Sequence, residues 1–261
     1  MTARRPDLSD VLPILLSIPH GGTLTPPQVA DSVCLSPKDQ FDDSDAFTRE
    51  IYDAGADVAH VVTTDIARPY VDVNRAPDDR PPSNPDGVVK TSTCYGQPIY
   101  QPGREPTDEL TEVLLQLYYW PYHESLSHVM AGGDVAIGLD CHSMSAVAPP
   151  IAPDPGKARP LFCVSNRDGV TCPTPLLLSL ARSISRAFEI KESDVAFNEP
   201  FKGGYITRAH GIGSVPWVQI EINRSFYLDP RWFDDTTLSV DPRRLTELRQ
   251  RFCSVLSELD L

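Results

Sequence analysis

Three short apolar segments, each leading into polar side chains, constrain the fold of this chain more than any other feature. The segments cover residues 11–18, 135–139 and 217–222, and their length and apolar content are typical of buried β-strands. Stretches with apolar residues at helical spacing lie between them, so strands and helices alternate along the chain. We therefore predict an open α/β sheet covered on both faces, with ligand-binding residues at the carboxyl ends of its strands.

The remaining elements follow from weaker signals. In chain order they are a helix that begins near Asp43, strands at 58–63 and 70–73, a helix at 107–117 that breaks at Pro121 and resumes to Met130, a strand at 161–164, a helix at 176–188 and a large loop at 198–214. The clearest helix is the last, which Asp241 caps and whose first turn contains Pro242. Because no long linker separates the apolar segments, we expect a single domain over residues 1–261, with a flexible N-terminus at 1–10.

Charge and composition exclude several classes of partner. The formal net charge of −13 argues against nucleic acid, although a few arginines can still bind a small anionic molecule. The chain begins without the apolar core of a secretory signal, and no apolar run approaches the ~20 residues of a transmembrane helix. The six cysteines form no CxxC pair, as expected for reduced thiols in the cytoplasm. We expect a cytoplasmic monomer or small homo-oligomer that does not bind membranes.

His20 and His142 each come shortly after a predicted strand. A side chain in that position is held by a rigid element, and neutral imidazole is a good zinc ligand. Two histidines and one carboxylate, with one open position, would form a catalytic zinc site. The alternative is that each histidine only caps a turn. Cys141 beside His142 also suggests a thiol hydrolase, but neighbours on a strand point to opposite faces, so this pair has poor geometry.

Four aspartates are candidates for the carboxylate that would complete a zinc site. Asp42, Asp43 and Asp45 cluster at a predicted helix start, where exposed N–H groups stabilise carboxylates in any case. Asp140 falls on the same side of its strand as His142, so it can bind a metal or orient the histidine from its other ring nitrogen.

Glu221 lies within a predicted strand in which polar and apolar residues alternate. Gln219, Glu221 and Asn223 share one face of that strand, and the apolar residues share the other. A carboxylate in such a position is costly to bury without a partner. Either it pairs with Arg224 or Arg208, or it acts as the base that activates a water molecule.

Cationic and amide side chains supply candidate anion-binding groups. The guanidinium of Arg75, with the adjacent amide of Asn74, matches a carboxylate, and Arg68 can support the same anion. The alternative is a surface arginine paired with one of many carboxylates. Lys202 and Arg208 belong to a glycine-rich segment that predicts either a mobile substrate-binding loop or a plain surface turn.

Several of these segments follow one another in a fixed order. They are Ile18-Pro19-His20-Gly21-Gly22, Asp45-Ala46-Phe47, residues 71–75, Pro121-Tyr122-His123, residues 140–143, residues 201–208 and Gln219-Ile220-Glu221. The ordered set resembles the N-formylglutamate amidohydrolase (N-formylglutamate deformylase) family, itself similar at a distance to zinc carboxypeptidases and aspartoacylases. The resemblance implies a three-layer α/β fold with a mixed, mostly parallel sheet flanked by helices, and one zinc ion or another divalent metal.

The resemblance also implies roles for individual residues. It makes His20 and His142 metal ligands, Glu221 the catalytic glutamate, and Asn74 with Arg75 the pair that binds substrate. The implied reaction is zinc-dependent hydrolysis of N-formyl-L-glutamate to formate and glutamate. The alternatives are hydrolysis of another N-acyl amino acid or a peptide, and a non-catalytic protein that binds N-acyl amino acids.

The third metal ligand departs from the pattern of the wider relatives. Those proteins use a His-x-x-Glu pair, whereas Thr23 stands three residues after His20. We assign the ligand to Asp45, which lies in a matched segment. His123, in another matched segment, is assigned to substrate binding, with a packed histidine as the alternative.

Overall fold

The computed structural model describes residues 11–259 and residue 261, so the flexible N-terminus expected at 1–10 lies outside the described residues. The main sheet is built from β1 (Leu12–Ile18), β2 (Val58–Thr63), β3 (Ile137–Met144), β4 (Phe162–Ser165), β5 (Val195–Phe197) and β6 (Trp217–Asn223). Their spatial order is β2-β1-β3-β6-β4-β5. Every neighbouring pair is parallel except β4 with β6, which is antiparallel. The expected α/β fold with a mixed, mostly parallel sheet is confirmed.

Helices cover both faces of this sheet. They are α1 (Pro37–Asp43), α2 (Thr48–Tyr52), α3 (Asp108–Leu114), α4 (Trp120–Gly132), α5 (Thr174–Phe188), α6 (Tyr205–His210) and α7 (Pro242–Ser257). Side chains of α2, α5 and α7 share one hydrophobic core with the sheet, and those of α3, α4 and α6 share a second core on the opposite face. A hairpin of β7 (Phe233–Asp234) and β8 (Ser239–Val240) precedes α7. In the part of the chain that the structure describes, no helix has the length and apolar character needed to cross a membrane.

The alternation of side chains along β3 and β6 separates the apolar core from the polar residues. Leu139 and Cys141 of β3 lie in the core beneath α5 and α7, while His142 points to the other face. Ile220 of β6 lies in the same core, and its neighbour Glu221 shares the face of His142. Two adjacent parallel strands therefore present their polar side chains together, on the face that α4 and α6 cover.

The helix expected to begin near Asp43 ends there instead. Ser36 caps the start of α1, its hydroxyl accepting a hydrogen bond from the N–H of Asp39 at 3.1 Å, and Pro37 occupies the first turn. Asp43 thus lies at the C-terminal end of the helix, where a carboxylate is unfavourable beside exposed carbonyls. The ammonium of Lys90, 2.6 Å from Asp43 Oδ2, compensates for it.

Four further predictions about elements were wrong, one of them the large loop at 198–214, which contains α6. Residues 70–73 form turns and an irregular segment rather than a strand: the N–H of Tyr70 donates to the carbonyl of Ala67, and that of Asp72 donates to the carbonyl of Val88. The helix does not break at Pro121, since a π-helical turn at Leu115–Tyr119 joins α3 to α4. A wider turn before a proline relieves the clash of its ring with the preceding carbonyls. Finally, β3 continues to Met144, so that His142 lies inside the strand rather than after it.

Candidate metal centre and active site

The candidate site lies where β1, β3 and β6 run side by side. His20 follows β1 by two residues, and His142 of β3 is directly opposite Glu221 of β6 in the parallel register. Asp45 comes from the short connection between α1 and α2, and its N–H donates to the carbonyl of His20 at 3.2 Å. All four side chains are buried, which keeps their electrostatic interactions strong.

Asp45 lies between the two histidines. Its Oδ2 is 3.3 Å from Nδ1 of His20 and 3.0 Å from Nδ1 of His142. One ligand atom from each of these three residues lies within 4.8 Å of the others, close enough to surround one metal ion. Two imidazoles and one carboxylate are the protein ligands of one class of catalytic zinc site, in which a fourth position stays open.

The other ring nitrogen of each histidine, Nε2, contacts a carboxylate, as is usual for histidines that bind a metal. Nε2 of His20 is 2.7 Å from Oδ1 of Asp72, and Nε2 of His142 is 3.1 Å from Oδ1 of Asp140. A carboxylate bonded to one ring nitrogen keeps a proton on that nitrogen, so Nδ1 is the nitrogen that would bind a metal once its own proton is released. The residues present therefore fit a divalent metal ion.

Asp45 is fixed from its other side by Arg224. The guanidinium donates to Oδ1 of Asp45 at 2.9 Å and to the carbonyl of Ser44 at 2.6 Å. Burial alone raises the pKa of Asp45, but hydrogen bonds from His142 and His20 and the charge of Arg224 outweigh it and hold that pKa well below its usual range. Asp45 therefore stays ionised and can act as an anionic ligand.

Glu221 has the opposite electrostatic balance. Burial raises its pKa to about 7, and the charges of Asp45 and Asp140 add to that effect against the opposing charge of His142. Gln219 donates a hydrogen bond to Oε1 at 2.8 Å. The suggested ion pairs with Arg224 and Arg208 do not form, since Arg224 binds Asp45 and the guanidinium of Arg208 lies 5.3 Å from the ring centre of Tyr205. A glutamate with a near-neutral pKa can both accept and release a proton at physiological pH.

The site opens into a cavity of about 470 Å³ that we call the cationic cavity. Besides the metal-site residues, five cationic side chains line it: Arg68, Arg75, Arg167, Lys202 and Arg208. Four carboxylates also line it: Asp45, Asp72, Asp79 and Glu221. A volume in this range suits a small molecule, and the five cations can bind an anionic one despite the formal net charge of −13 for the whole chain.

Comparison with known proteins identifies the family of this chain. The sequence model of the N-formylglutamate amidohydrolase family matches residues 12–228. The chain belongs to this family. It is 28% identical to N-formylglutamate deformylase of Pseudomonas putida over 84% of this chain and 82% of that protein, and 29% identical to the Pseudomonas aeruginosa enzyme over 84% and 83%. The solved structure of N-formylglutamate amidohydrolase from Ralstonia eutropha JMP134 superposes with a TM-score of 0.74 at 22% identity, covering 96% of this chain and 94% of that one.

The other three candidate aspartates are accounted for by other contacts. Asp42 pairs with Lys38 at 2.7 Å, Asp43 pairs with Lys90, and Asp140 contacts the outer nitrogen of His142. Of the four aspartates considered from the sequence, Asp45 is the one grouped with both histidines.

The structure argues against Cys141 as a nucleophile. Its side chain is completely buried in the core on the face opposite His142. Burial and the nearby Asp140 raise the pKa of the thiol well above its ordinary value, so the reactive thiolate is disfavoured.

The predicted Asn74–Arg75 pair lines the cavity but is already engaged with protein atoms. Arg75 donates to Oδ2 of Asp86 at 2.5 Å, and Oδ1 of Asn74 accepts the N–H of Ile206 at 2.8 Å. The amide nitrogen of Asn74 lies 3.1 Å from Nε2 of His142. Both residues therefore form hydrogen bonds within the cavity wall and also line the cavity.

The prediction for His123 does not match its position, because it is not among the residues that line the cavity. Its Nε2 donates to the carbonyl of Val73 at 2.9 Å, and its Nδ1 is 3.0 Å from Nε2 of His210. Burial, with a smaller effect from the charge of His210, lowers its pKa to about 4. His123 is thus a packed neutral histidine that supports the segment carrying Asn74.

Sequence reasoning missed three residues of the site: Asp72, Arg167 and Arg224. Asp72 was inside a matched segment but was given no role, and Arg224 was considered only as a partner of Glu221. Arg167 lies outside every matched segment; its guanidinium donates to the carbonyl of Gly203 at 3.2 Å. No local pattern marks it, because its place in the cavity depends on a contact between distant parts of the chain.

Proposed function

We propose that this protein hydrolyses N-formyl-L-glutamate to formate and glutamate, with one zinc ion held by His20, Asp45 and His142. The observation that carries the proposal is the three-ligand donor set beside a buried glutamate whose pKa is close to 7. Support also comes from the two curated relatives, both of which are named N-formylglutamate deformylase.

The chemistry divides between the metal and the protein. When bound, the metal supplies Lewis-acid chemistry, which polarises the formyl carbonyl and makes water easier to deprotonate. Gln219 holds Oε1 of Glu221, so Oε2 takes a proton from water as the water oxygen attacks the formyl carbon. The same oxygen then gives that proton to the departing nitrogen, and the C–N bond breaks. Arg68, at the rim of the donor set, stabilises negative charge that develops on the carbonyl oxygen.

The cationic cavity fits a substrate with two carboxylates. Arg75 and Asn74 would bind one carboxylate of the glutamate half, and Lys202 or Arg208 the other. Arg167 is a further candidate for the second carboxylate, because it forms no ion pair in the described part of the chain. Asp72 partly neutralises Arg68 and Arg75, which leaves more positive charge available on the other cations of the cavity.

The decisive experiment combines turnover with metal content. Purified protein is expected to carry about one zinc per chain and to release formate and glutamate in equal amounts from N-formyl-L-glutamate. Chelation should abolish the release and zinc should restore it, while His142→Ala protein should bind little metal. Hydrolysis that persists unchanged after complete removal of metal would refute the metal mechanism.

The non-catalytic alternative is separated by Glu221→Gln. An amidohydrolase should lose about two to four orders of magnitude in kcat in this variant, because proton transfer is removed, while its metal content is unchanged. A binding protein would show no turnover in either form. A panel of N-acyl amino acids and peptides at equal enzyme concentration then ranks N-formyl-L-glutamate against other substrates of the same chemistry.

A further inference from the structure

A second cavity adjoins the cationic cavity on the other side of Asp45. Its volume is about 520 Å³, and we call it the apolar cavity because Met144, Pro149, Ile151, Ala152 and Phe201 contribute to its lining. The two cavities share part of their walls, namely Asp45, Arg68, Arg75, Ser143 and Phe201. The apolar cavity therefore lies directly beside the proposed reaction centre.

The position of Glu221 decides which half of a substrate faces each cavity. Glu221 lines the cationic cavity and not the apolar one. The departing nitrogen must lie within reach of Glu221 to receive its proton, so the amino acid half lies in the cationic cavity. The substituent on the carbonyl carbon then points away from Glu221, toward Ser143 and the apolar cavity.

Several charged side chains of the apolar cavity have a close partner of opposite charge in the same wall. Arg159 is 2.9 Å from Asp154, Arg75 is 2.5 Å from Asp86, and Arg224 binds Asp45. Glu199 also lines the cavity and has no ion pair within the described residues, so the charge left over in the wall is negative. A neutral apolar group in contact with the apolar side chains therefore fits this wall better than an anion does.

A formyl group leaves this space unused, because its carbonyl carbon carries only hydrogen. We propose that the apolar cavity is an acyl subsite and that the protein hydrolyses N-acylglutamates with a neutral, unbranched aliphatic acyl chain, giving the carboxylic acid and glutamate. This inference rests on the proposed amidohydrolase function, and it extends the substrate class from the formyl group to longer acyl groups.

The test uses a series of N-acyl-L-glutamates that differ only in acyl length. N-acetyl, N-butanoyl and N-hexanoyl compounds have carbonyls of equal reactivity, so differences among them report on binding of the chain. Each methylene buried in the apolar cavity should raise kcat/KM by up to about fourfold. N-formyl-L-glutamate is measured alongside as the substrate of the proposed function.

Two exposed residues of the loop after β3 provide a variant and its matched control. Ile151 lines the apolar cavity and is 58% exposed, while Val147 is 52% exposed and does not line it. Ile151→Asp should flatten the dependence of kcat/KM on acyl length, measured relative to the variant's own rate with N-formyl-L-glutamate. Val147→Asp should keep the wild-type dependence. If kcat/KM depended on acyl length equally in both variants, the proposed subsite would be overturned.

Failure of the inference is distinguishable from failure of the proposed function. Turnover of N-formyl-L-glutamate with a flat or falling acyl series would overturn the subsite and leave the proposed function standing. If no compound is hydrolysed, the function is wrong, and calorimetric binding of the same compounds to metal-loaded Glu221→Gln protein decides the subsite. Affinity that rises with acyl length supports it, and affinity independent of length overturns it.

Discussion

Asp72 contacts His20 and two arginines while being almost fully excluded from solvent. It accepts from Nε2 of His20 at 2.7 Å and from Nε of Arg68 at 3.0 Å, and the guanidinium of Arg75 approaches to 3.7 Å. Burial raises the pKa of Asp72, but the charges of His20 and Arg68 outweigh it and hold the pKa well below the usual range. One carboxylate thus links a metal ligand to two cations of the cavity.

Replacing Asp72 should therefore weaken metal binding without removing a ligand. In Asp72→Asn the amide no longer fixes the proton on Nε2 of His20, and we expect about a 10- to 100-fold loss of zinc affinity. Competition with a chromophoric chelator measures it, and excess zinc should recover part of the activity. The control is Asp65→Asn, because Asp65 is exposed and pairs only with Arg49 among charged partners in the described chain. Equal zinc affinities in the two variants would contradict the role of Asp72.

The sequence predicts the proposed metal ligands and proton-transfer residue better than it predicts the residues that form hydrogen bonds to them. His20, His142 and Glu221 are detectable because each is a polar residue within or directly after a short apolar segment, which is a local signal. Asp72 and Arg224 act through contacts with residues 52 and 179 positions away, so no local pattern reveals them. The same limit explains why His123 was assigned to substrate, since its partner His210 lies on another helix.

At the level of elements, β3 and β6 approach each other closely at Gly138. A Cβ added there would lie 2.4 Å from the indole of Trp217, the residue opposite it in the parallel register. Trp217 is completely buried, so it has no free space into which to move. The glycine thus permits the tryptophan to pack across the strand that carries His142.

Gly138→Ala should lower the free energy of unfolding by about 1–3 kcal/mol, the usual cost of overpacking a core. Urea unfolding at pH 7.5 measures it. Gly132→Ala is the matched control, because it lies at the end of α4, where the added Cβ meets only a side-chain oxygen of Asp134 at 3.3 Å. That variant should be neutral or more stable by up to about 1 kcal/mol. A stability loss of equal size in both would show that the indole contact is unimportant.

The contact between α4 and α6 should make stability depend on pH. Burial lowers the pKa of His123 to about 4, below the ordinary value of about 6.5 for an unfolded histidine. Between these values the unfolded chain binds a proton that the folded protein excludes, so stability falls as the pH drops from 6.5 toward 4. The expected loss from this group at pH 5 is about 2 kcal/mol.

The variant His123→Gln isolates that contribution. Its amide can still donate to the carbonyl of Val73, but it does not titrate. Urea unfolding of both proteins at pH 7.5 and pH 5 should show a smaller loss in the variant, by about 2 kcal/mol. An identical pH dependence in both would mean that His123 titrates normally in the folded protein.

Boundaries of elements show where propensity and tertiary structure compete. The last helix was predicted with its cap at Asp241, because an aspartate followed by proline is a strong local signal that α7 retains. The apolar residues at 70–73 predicted a strand for the same local reason, but the chain turns there to bring Asp72 to His20. A charge contact at the site decides the conformation of that segment.

For the molecule as a whole, the fold brings together ligands that are distant in sequence. Asp45 lies 25 residues from His20 and 97 residues from His142. The three-layer arrangement was predictable from the alternation of strands and helices, whereas the antiparallel pairing of β4 with β6 was not. The expectations of a single domain, of a monomer or small homo-oligomer and of a cytoplasmic location stay predictions.

Because the donor set exists only when these distant segments are folded together, metal binding should stabilise the whole molecule. A metal that binds only the folded state adds about 4 kcal/mol to the free energy of unfolding when its free concentration is a thousandfold above the dissociation constant. Urea unfolding at several buffered zinc concentrations should therefore give a stability that rises with the logarithm of free zinc. His142→Ala should lose this dependence. His60→Ala should retain it, because His60 lies on β2 and pairs with Asp134, away from the donor set. A stability independent of zinc in the wild type would mean that the three residues do not hold a metal in the folded protein.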